Sequence, residues 1–384
     1  MYLVLLIYLL LLFYLYDMRG KIRYRDLNYM LSCIVLICVA GFRYRIGYDT
    51  INYMESFNSP YYPTLSDFRF GTDYGGDIFW VMLNSLAKSI GGGFYTVQFL
   101  QAGIVNVIVF WFIRRHSPKP FLGILLFFLF QWWNYCFEAM RESIAIAFYL
   151  FGLDALISEN SLKKYYLRVW PACFFHTFGF VTLIFPLIRY IKVNRYLPFV
   201  CLGFAVIGFT VSDIMNSLVD SLVGLDSMAA NKATKYIESD IYGESTLSLV
   251  GIISLIVSRI VPLIALIYVL HKSNEPKMEV FIPYLLCYIF VVFLRIQMPI
   301  FFRFYNYFEI MLIVAITQAV AIQKTNANRN LRFISIALVF MMIILRGYEL
   351  TEPDGYEAYK RYMPYNSIFT EHYNEQSEYI FRSL

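Results

Sequence analysis

Seven ionisable residues have the chemistry to bind an anion or to move a proton, and each lies near an end or a break of an apolar segment. Arginine suits phosphate because its fork of donors binds a pair of oxygens and because it stays charged. A diphosphate is multiply charged and would need several such partners. Each arginine could instead snorkel to the interface or pair with a local acid, such as Glu138 or Glu142. The residues are Arg43, Arg45, Asp49, Arg141, His176, Arg295 and Arg303.

Arg141 is the most informative of them, because it opens a predicted helix with the sequence Arg141-Glu142-Ser143-Ile144. The positive end of the helix macrodipole disfavours a cation in the first turn. An anion bound at that end would explain the placement, since helix and side chain both attract it. The alternative is an ion pair with Glu138, three residues earlier.

Asp49 and His176 are the candidates for proton transfer. Asp49 is either a general base or an orienting partner of Arg43 or Arg45. His176 interrupts an apolar run, where it is either a buried structural histidine or a proton carrier.

The C-terminal half contributes further arginines. Arg303 shares a predicted helix face with Asn306 and Tyr307, at spacings of three and four residues. Arg259 lies near the middle of the apolar run 247–270, where a charge costs at least about 2.5 kcal/mol. It needs a polar cavity or an acidic partner, and a structural ion pair explains it as well as a function does.

The composition predicts that membrane helices hold these residues. The chain has 384 residues, of which 59% are hydrophobic and only 15% charged, against about 25% charged in globular domains. The fold class expected is therefore an all-α, polytopic integral membrane protein. Apolar runs long enough to cross, or nearly so, lie at 1–16, 27–42, 94–113, 120–137, 141–158, 197–217, 247–270, 280–298, 301–322 and 332–347.

The basic residues predict the orientation. Their clusters begin at Arg19, Arg114, Lys163, Arg189, Lys272 and Lys324. All of them face the cytoplasm only if 77–90 does not cross and 164–188, broken around His176, crosses twice. That solution gives about 12 membrane segments with both termini periplasmic. It makes residues 1–347 one membrane domain, with outer loops 43–93 and 218–246, followed by a short Tyr-rich periplasmic tail, 348–384.

Other classes of protein have little support. No Gly-rich phosphate loop, nucleotide fingerprint, Ser/His/Asp arrangement or metal-ligand spacing occurs, so we expect neither a cofactor nor a metal site. The net charge of +5 does not indicate nucleic acid, because the basic residues sit in short loops where they set orientation.

Several motifs resemble those of the EpsG family of bacterial polysaccharide polymerases, which belongs with the Wzy-type O-antigen and capsule polymerases. They follow the expected order and cover most of the chain by layout. The turn Tyr74-Gly75-Gly76-Asp77 departs from the Glu-Pro-Gly-like turn that family members often have. The matches are Phe42-Arg43-Tyr44-Arg45-Ile46-Gly47-Tyr48-Asp49 with Tyr53, the Arg-x-x-Ile-Ala that Arg141 opens, Phe175-His176, the Phe-Arg-Phe-Tyr-x-Tyr-Phe around Arg303, and Pro364-Tyr365.

The resemblance implies a GT-C-like glycosyltransferase in the bacterial inner membrane. Its substrate would be an undecaprenyl-diphosphate-linked oligosaccharide, polymerised on the periplasmic side without a cofactor. Arg43, Arg141 and Arg303, with Arg45 and Arg295 nearby, would bind the diphosphate, while Asp49 or His176 would orient or deprotonate the acceptor hydroxyl. A chain-length regulator and a flippase are the protein partners expected.

Three alternatives stay open at this point. A flippase or exporter of the same lipid-linked sugars should show symmetry between halves, and we find no matched halves. An O-antigen ligase would use the same donor with a different acceptor. A membrane acyltransferase would carry its catalytic residues near the cytoplasmic face.

Overall fold

The computed structural model describes residues 1–59, 62–69, 77–191, 203, 256–272, 280–297, 301–322, 329–349 and 362–370. This part of the chain is nearly all helical and contains no strand, although an isolated antiparallel bridge joins Arg43 to Ser367. The all-α prediction is therefore confirmed. The predicted segment 197–217 (residue 203 apart), the loop 218–246 and most of the tail 348–384 lie outside the described residues.

The chain forms two compact units, residues 1–183 with 346–384 and residues 184–345. The helices of the first unit are α1 (Tyr2–Leu12), which continues as a π-helical turn (Phe13–Met18), α2 (Arg25–Gly41), α3 (Tyr48–Asn58), α4 (Ile78–Ser89), α5 (Phe94–His116), α6 (Pro120–Phe130), a π-helical segment (Asn134–Glu138), α7 (Met140–Glu159), α8 (Leu162–Val169) and α9 (Ala172–Phe175). A 3₁₀ segment, Thr177–Leu183, follows α9.

Small and capping residues set how these helices pack. α2 approaches α5 closely at Gly41, where an added Cβ would lie 2.5 Å from the ring of Phe99. α7 ends at Asn160, which adopts the left-handed conformation, and the Ser161 hydroxyl accepts the main-chain N–H of Lys164 to start α8. The result is a tight α7–α8 hairpin.

The second unit contains a 3₁₀ segment, Phe185–Tyr190, and a π-helical turn, Ile256–Ile260, that leads into α10 (Val261–Lys272). α11 (Ile282–Gln297) and α12 (Phe302–Val320) follow, and α12 packs against both α10 and α11. α13 is Arg329–Glu349.

Most predicted segments coincide with helices, but not all as single spans. Of the described helices, only α5 is both long and apolar enough to cross a bilayer by itself. The run 120–137 breaks after Phe130, and 164–188 breaks at His176 as expected. The outer loop 43–93 holds two helices, of which α4, at about 18 Å, is too short to cross a core of about 30 Å alone. The 12 crossings, the GT-C-like architecture and the division at residue 347 remain predictions.

Candidate functional site

The turn between α2 and α3 is organised around Arg43, which is fully buried (0% exposed). Its Nη1 donates to Ala40 O at 2.6 Å, its Nε to Ile46 O at 3.1 Å and its Nη2 to the Thr50 hydroxyl at 3.3 Å. The guanidinium also lies over the ring of Phe137, 4.5 Å from its centroid. All these partners are neutral, and arginine stays charged in proteins. Arg43 therefore fixes the conformation of the turn, and its own positive charge is buried there.

Gly47 is the residue that lets this turn pass close to its neighbour. Its φ of +104° and ψ of +140° are a conformation that side-chain-bearing residues rarely adopt. A Cβ at this position would lie 2.7 Å from the main-chain oxygen of Phe137 and 2.9 Å from the hydroxyl of Thr50. The sequence therefore needs glycine here for two independent reasons.

The C-terminal strap, which we define as residues 362–370, packs on the same turn. It lies antiparallel to residues 42–44 without forming a helix. Hydrogen bonds run from Tyr44 N to Asn366 O, from Ile368 N to Phe42 O and from the Tyr365 hydroxyl to Val39 O, at 2.9, 2.9 and 3.0 Å. The turn thus depends on residues more than 300 positions away in the chain.

Arg45, two residues after Arg43, is half-buried. Its φ of +53° places it in the left-handed region, which costs a non-glycine residue about 1–2 kcal/mol. The neighbouring Tyr44 stacks on Tyr95 of α5, with ring centroids 5.9 Å apart. Arg45 is therefore held in an unfavourable backbone conformation by a well-anchored turn, an arrangement typical of functional positions.

Arg141, in the first turn of α7, pairs with Asp77 and not with Glu138. Its Nη1 donates to Asp77 Oδ2 at 2.5 Å, and its guanidinium lies 5.5 Å from the ring centroid of Tyr53. Tyr62 is close as well: burial raises the pKa of its phenol, and the charge of Arg141 acts in the opposite direction. The alternative of a Glu138–Arg141 ion pair is wrong, because the α3–α4 region brings in a different carboxylate.

Glu138 instead meets the start of α3. Its Oε2 accepts the main-chain N–H of Asp49 at 3.2 Å, and a carboxylate at this end of a helix is favourable. The Asp49 side chain is half-buried in the first turn of α3. Asp49 is thereby tied to the segment that leads directly into Arg141.

His176 is buried (6% exposed) where α9 ends. Its Nδ1 accepts the main-chain N–H of Phe178 at 3.3 Å, so in the neutral ring the proton is on Nε2. α9 in turn packs on α4, because Phe79 contacts the rings of Phe174 and Phe175, with centroids 5.2 and 5.6 Å away. His176 therefore follows a helix that packs on α4, and Asp77 is the residue directly before α4.

The second unit holds the remaining predicted arginines. Arg295 Nη1 donates to the Tyr305 hydroxyl at 3.4 Å, and its guanidinium lies 5.5 Å from the centroid of that ring. Arg303 is half-buried in the first turn of α12. Like Arg141, Arg303 is a cation at a helix N-terminus.

Arg259 has the acidic partner that its depth demands. Its Nη1 lies 3.3 Å from Glu309 Oε1 and 3.1 Å from the Tyr288 hydroxyl, which itself donates to Glu309. Both charged side chains are buried, and Arg259 also lies over the ring of Tyr305 at 4.9 Å. A paired and hydrogen-bonded charge is the tolerable way to bury an ion.

The first unit therefore gathers three arginines, Arg43, Arg45 and Arg141, and three carboxylates around the starts of α3 and α7. The carboxylates are those of Asp49, Asp77 and Glu138. The arginines can donate hydrogen bonds to an anion, and the carboxylates can orient or accept a proton. Among the described residues, no group of three His, Cys, Asp or Glu side chains is placed to hold a metal ion.

Sequence reasoning missed Asp77 as the partner of Arg141. The signal was indirect, since Asp77 ends the turn that departs from the family pattern and directly precedes α4. Tyr53 was visible as part of the first motif, but its contact with Arg141 depends on how α3 packs.

The described residues are nearly all helical, the composition is mostly apolar, and arginines stand in the first turns of α7 and α12, all of which fits a membrane protein with a polar site. The chain belongs to the EpsG family, whose pattern it matches over residues 26–383. It is thus a membrane protein of polysaccharide biosynthesis. No significant match is found among curated proteins or among solved structures.

Proposed function

We propose that the protein polymerises lipid-linked oligosaccharide repeat units on the periplasmic side of the bacterial inner membrane. The growing glycan would move from undecaprenyl diphosphate to an acceptor hydroxyl on another unit. The observation that carries this proposal is the position of Arg141, a cation in the first turn of α7 held by Asp77 beside Tyr53. Membership of the EpsG family supports it.

The reaction calls for electrostatic help at the leaving group. The acceptor oxygen forms a bond to the anomeric carbon, and the bond from that carbon to the diphosphate oxygen breaks. The electron pair leaves with the undecaprenyl diphosphate, so negative charge grows there. Arg141 and the α7 N-terminus would stabilise that charge, and pre-set donors of this kind are effective because they need no reorganisation.

The arginines of the turn would take different roles. We assign Arg43 to positioning, because its donors are already engaged by Ala40, Ile46 and Thr50. Its buried positive charge would still attract the diphosphate without a direct contact. Arg45, which is half-buried in the same turn, would contact the diphosphate directly.

The proton of the acceptor hydroxyl needs a destination. Asp49 is the better-placed acceptor, because it lies in the first turn of α3 and is linked through Glu138 to the segment before Arg141. His176 would then orient the acceptor through Nε2 while Phe178 N–H holds Nδ1. Asp49→Asn should therefore reduce polymerisation more than His176→Gln.

Conservative substitutions at the Arg141–Asp77 pair test the proposal. Arg141→Lys keeps the charge and the pairing with Asp77 but loses the two-pronged contact with phosphate. We expect about 10- to 100-fold slower polymerisation of purified lipid-linked repeat units in proteoliposomes, as loss of one charge-assisted hydrogen bond predicts. The matched control is Arg168→Lys, because Arg168 also pairs with buried or partly buried carboxylates, those of Asp154 and Glu159.

A double variant separates catalysis from folding. Arg141→Gln combined with Asp77→Asn removes both charges together, so neither is left buried without a partner. We expect a folded but inactive protein. Normal sugar ladders from this variant would show that the pair is structural and would refute the proposal.

The same variants in cells distinguish the alternatives. A polymerase defect leaves single repeat units on the outer face, whereas a flippase defect leaves none there, and a ligase defect leaves polymer that is not attached.

Arg295 and Arg303, the predicted diphosphate ligands of the second unit, should be changed to lysine in the same assay. Partnership with a chain-length regulator would appear as ladders whose length distribution changes when that regulator is absent.

A further inference from the structure

Two buried glutamines on α5 contact the two segments that carry the candidate site. Gln98 and Gln101 are both 0% exposed, and their spacing of three residues places them on one face of the helix. Polar side chains inside membrane helices are costly and mark functional positions more often than apolar ones do. The contacts of each amide therefore call for an explanation.

Gln98 holds the first arm of the site, which we define as residues 41–50. Its Nε2 donates to Gly41 O at 2.8 Å and to Arg43 O at 2.9 Å. Gly41 is the last residue of α2, and a helix cannot satisfy its final carbonyl groups internally. One side chain of α5 thus joins the end of α2 to the residue two positions before Arg45.

Gln101 holds the second arm, residues 134–143, in the same way. Its Nε2 donates to Tyr135 O and to the Ser143 hydroxyl, each at 2.8 Å. These acceptors lie on either side of Arg141, and the amide spans the junction between the π-helical segment and α7. Junctions of this kind are frequent at functional sites, because the π-helical turn interrupts the regular helix.

The two arms also contact each other. The Thr50 hydroxyl lies 3.3 Å from Phe137 O, and Glu138 Oε2 accepts the main-chain N–H of Asp49 at 3.2 Å. On α5 a spacing of three residues corresponds to about 4.5 Å along the axis. One rigid helix therefore anchors two adjoining arms at neighbouring positions.

Stability alone is a poor explanation for the two amides. The Oε1 atoms of Gln98 and Gln101 are buried and have no hydrogen-bond partner among the described residues. An unpaired buried acceptor lowers stability. Two such costs on one helix face are better explained by what the Nε2 atoms hold in place.

We propose that Gln98 and Gln101 are positioning residues, which set the spacing of Arg45 and Arg141 so that both bind one diphosphate. This inference rests on the proposed function, in which these arginines bind the diphosphate. Two donors fixed in advance bind a ligand with two phosphates more tightly, because the second contact needs little further ordering. A ligand with a single phosphate uses only one arm. The protein should therefore prefer undecaprenyl diphosphate to undecaprenyl phosphate, and both glutamines should be needed for that preference.

The preference between the two carriers tests this inference. Full-length protein in neutral detergent is titrated with each carrier separately, and the bound carrier is measured by native mass spectrometry. Gln98→Met and Gln101→Met preserve the approximate side-chain length and remove the donors. We expect wild type to bind the diphosphate about tenfold more tightly than the monophosphate, and each variant to lose that difference, as loss of one charge-assisted contact predicts.

A matched control and a double variant separate positioning from general loosening. Asn84→Leu is the control, because Asn84 is equally buried but its amide donates within α4, to Trp80 O at 2.7 Å. The control should keep the wild-type preference. Loss of either arm already ends the two-arm contact, so Gln98→Met/Gln101→Met should show the same preference as each single variant.

Ser143→Ala is the milder variant if the methionine variants do not fold. It removes one of the two acceptors of Gln101 and should lower the preference about threefold. A wild-type preference that persists in the variants would overturn this inference alone, as would an equal loss in Asn84→Leu or a further fall in the double variant. Equal binding of both carriers by wild type would overturn the proposed function as well.

Discussion

Replacing Gly47 by alanine should damage the turn for two separable reasons. The backbone at Gly47, with φ of +104°, costs a residue with a side chain about 1–3 kcal/mol. The new Cβ would also lie 2.7 Å from Phe137 O, and overpacking of this kind costs about 1–3 kcal/mol more. The sum is about 2–6 kcal/mol, which should lower the melting temperature of a 384-residue chain by roughly 2–8 °C.

Two other glycines provide matched controls. Gly91 has a φ of +74° with open space around it, so alanine there should carry only the backbone cost, about 1–2 kcal/mol. Gly103 lies within α5 with no neighbouring atom within 4 Å of an added Cβ, so alanine should be neutral or stabilising by about 0.5–1 kcal/mol.

The assay is thermal unfolding of the three purified variants in one detergent, alongside polymerisation in proteoliposomes. The expected order of melting temperature is Gly103→Ala, then wild type, then Gly91→Ala, then Gly47→Ala. Equal melting of Gly47→Ala and Gly91→Ala, within about 0.5 °C, would show that the close approach to Phe137 imposes no constraint. The argument that the turn is built on that approach would then fail.

Three further predictions follow from the contacts described. Arg43→Lys should lower the unfolding free energy by about 2–4 kcal/mol and reduce polymerisation with it. A lysine ammonium cannot donate hydrogen bonds to all the oxygens that the planar guanidinium reaches. An unchanged melting temperature would contradict this. Arg259→Leu should destabilise the protein by about 3–5 kcal/mol, and adding Glu309→Leu should recover part of that loss. If thermal unfolding shows that the free-energy changes of the two single substitutions simply add in the double variant, the buried pair is ruled out. Cysteines placed at Asp73 and Asn231 should react with a membrane-impermeant thiol reagent from outside, and protection of both in intact spheroplasts would overturn the predicted orientation.

Local sequence predicted the helices and the prominent residues well. Apolar runs correspond to α2, α5, α7 and α12, because length and hydropathy dominate in a chain of this composition. The break at His176 was also visible, since a polar residue interrupts the run there. These features depend on neighbours in the sequence and need no knowledge of packing.

The partners of the arginines could not be predicted in the same way. Arg141 meets Asp77, 64 residues earlier, and Arg259 meets Glu309, 50 residues later, and both pairings depend on which helix faces touch. Arg43 differs, because its acceptors are only three residues away on either side at Ala40 and Ile46. Its contact with the ring of Phe137, 94 residues later, depends on helix packing and could not be predicted from the sequence.

The C-terminal strap has a consequence for how the protein matures in the cell. The Tyr365 hydroxyl donates a hydrogen bond to the main-chain oxygen of Val39, and 326 positions separate the two residues. At about 5–20 residues per second, a ribosome needs roughly 16–65 s to travel that distance. The nascent chain can therefore insert its early helices long before the turn around Arg43 acquires its last hydrogen bonds. We therefore expect the protein to be inactive until residues 362–370 have been made, and a prematurely terminated chain that lacks them to remain so.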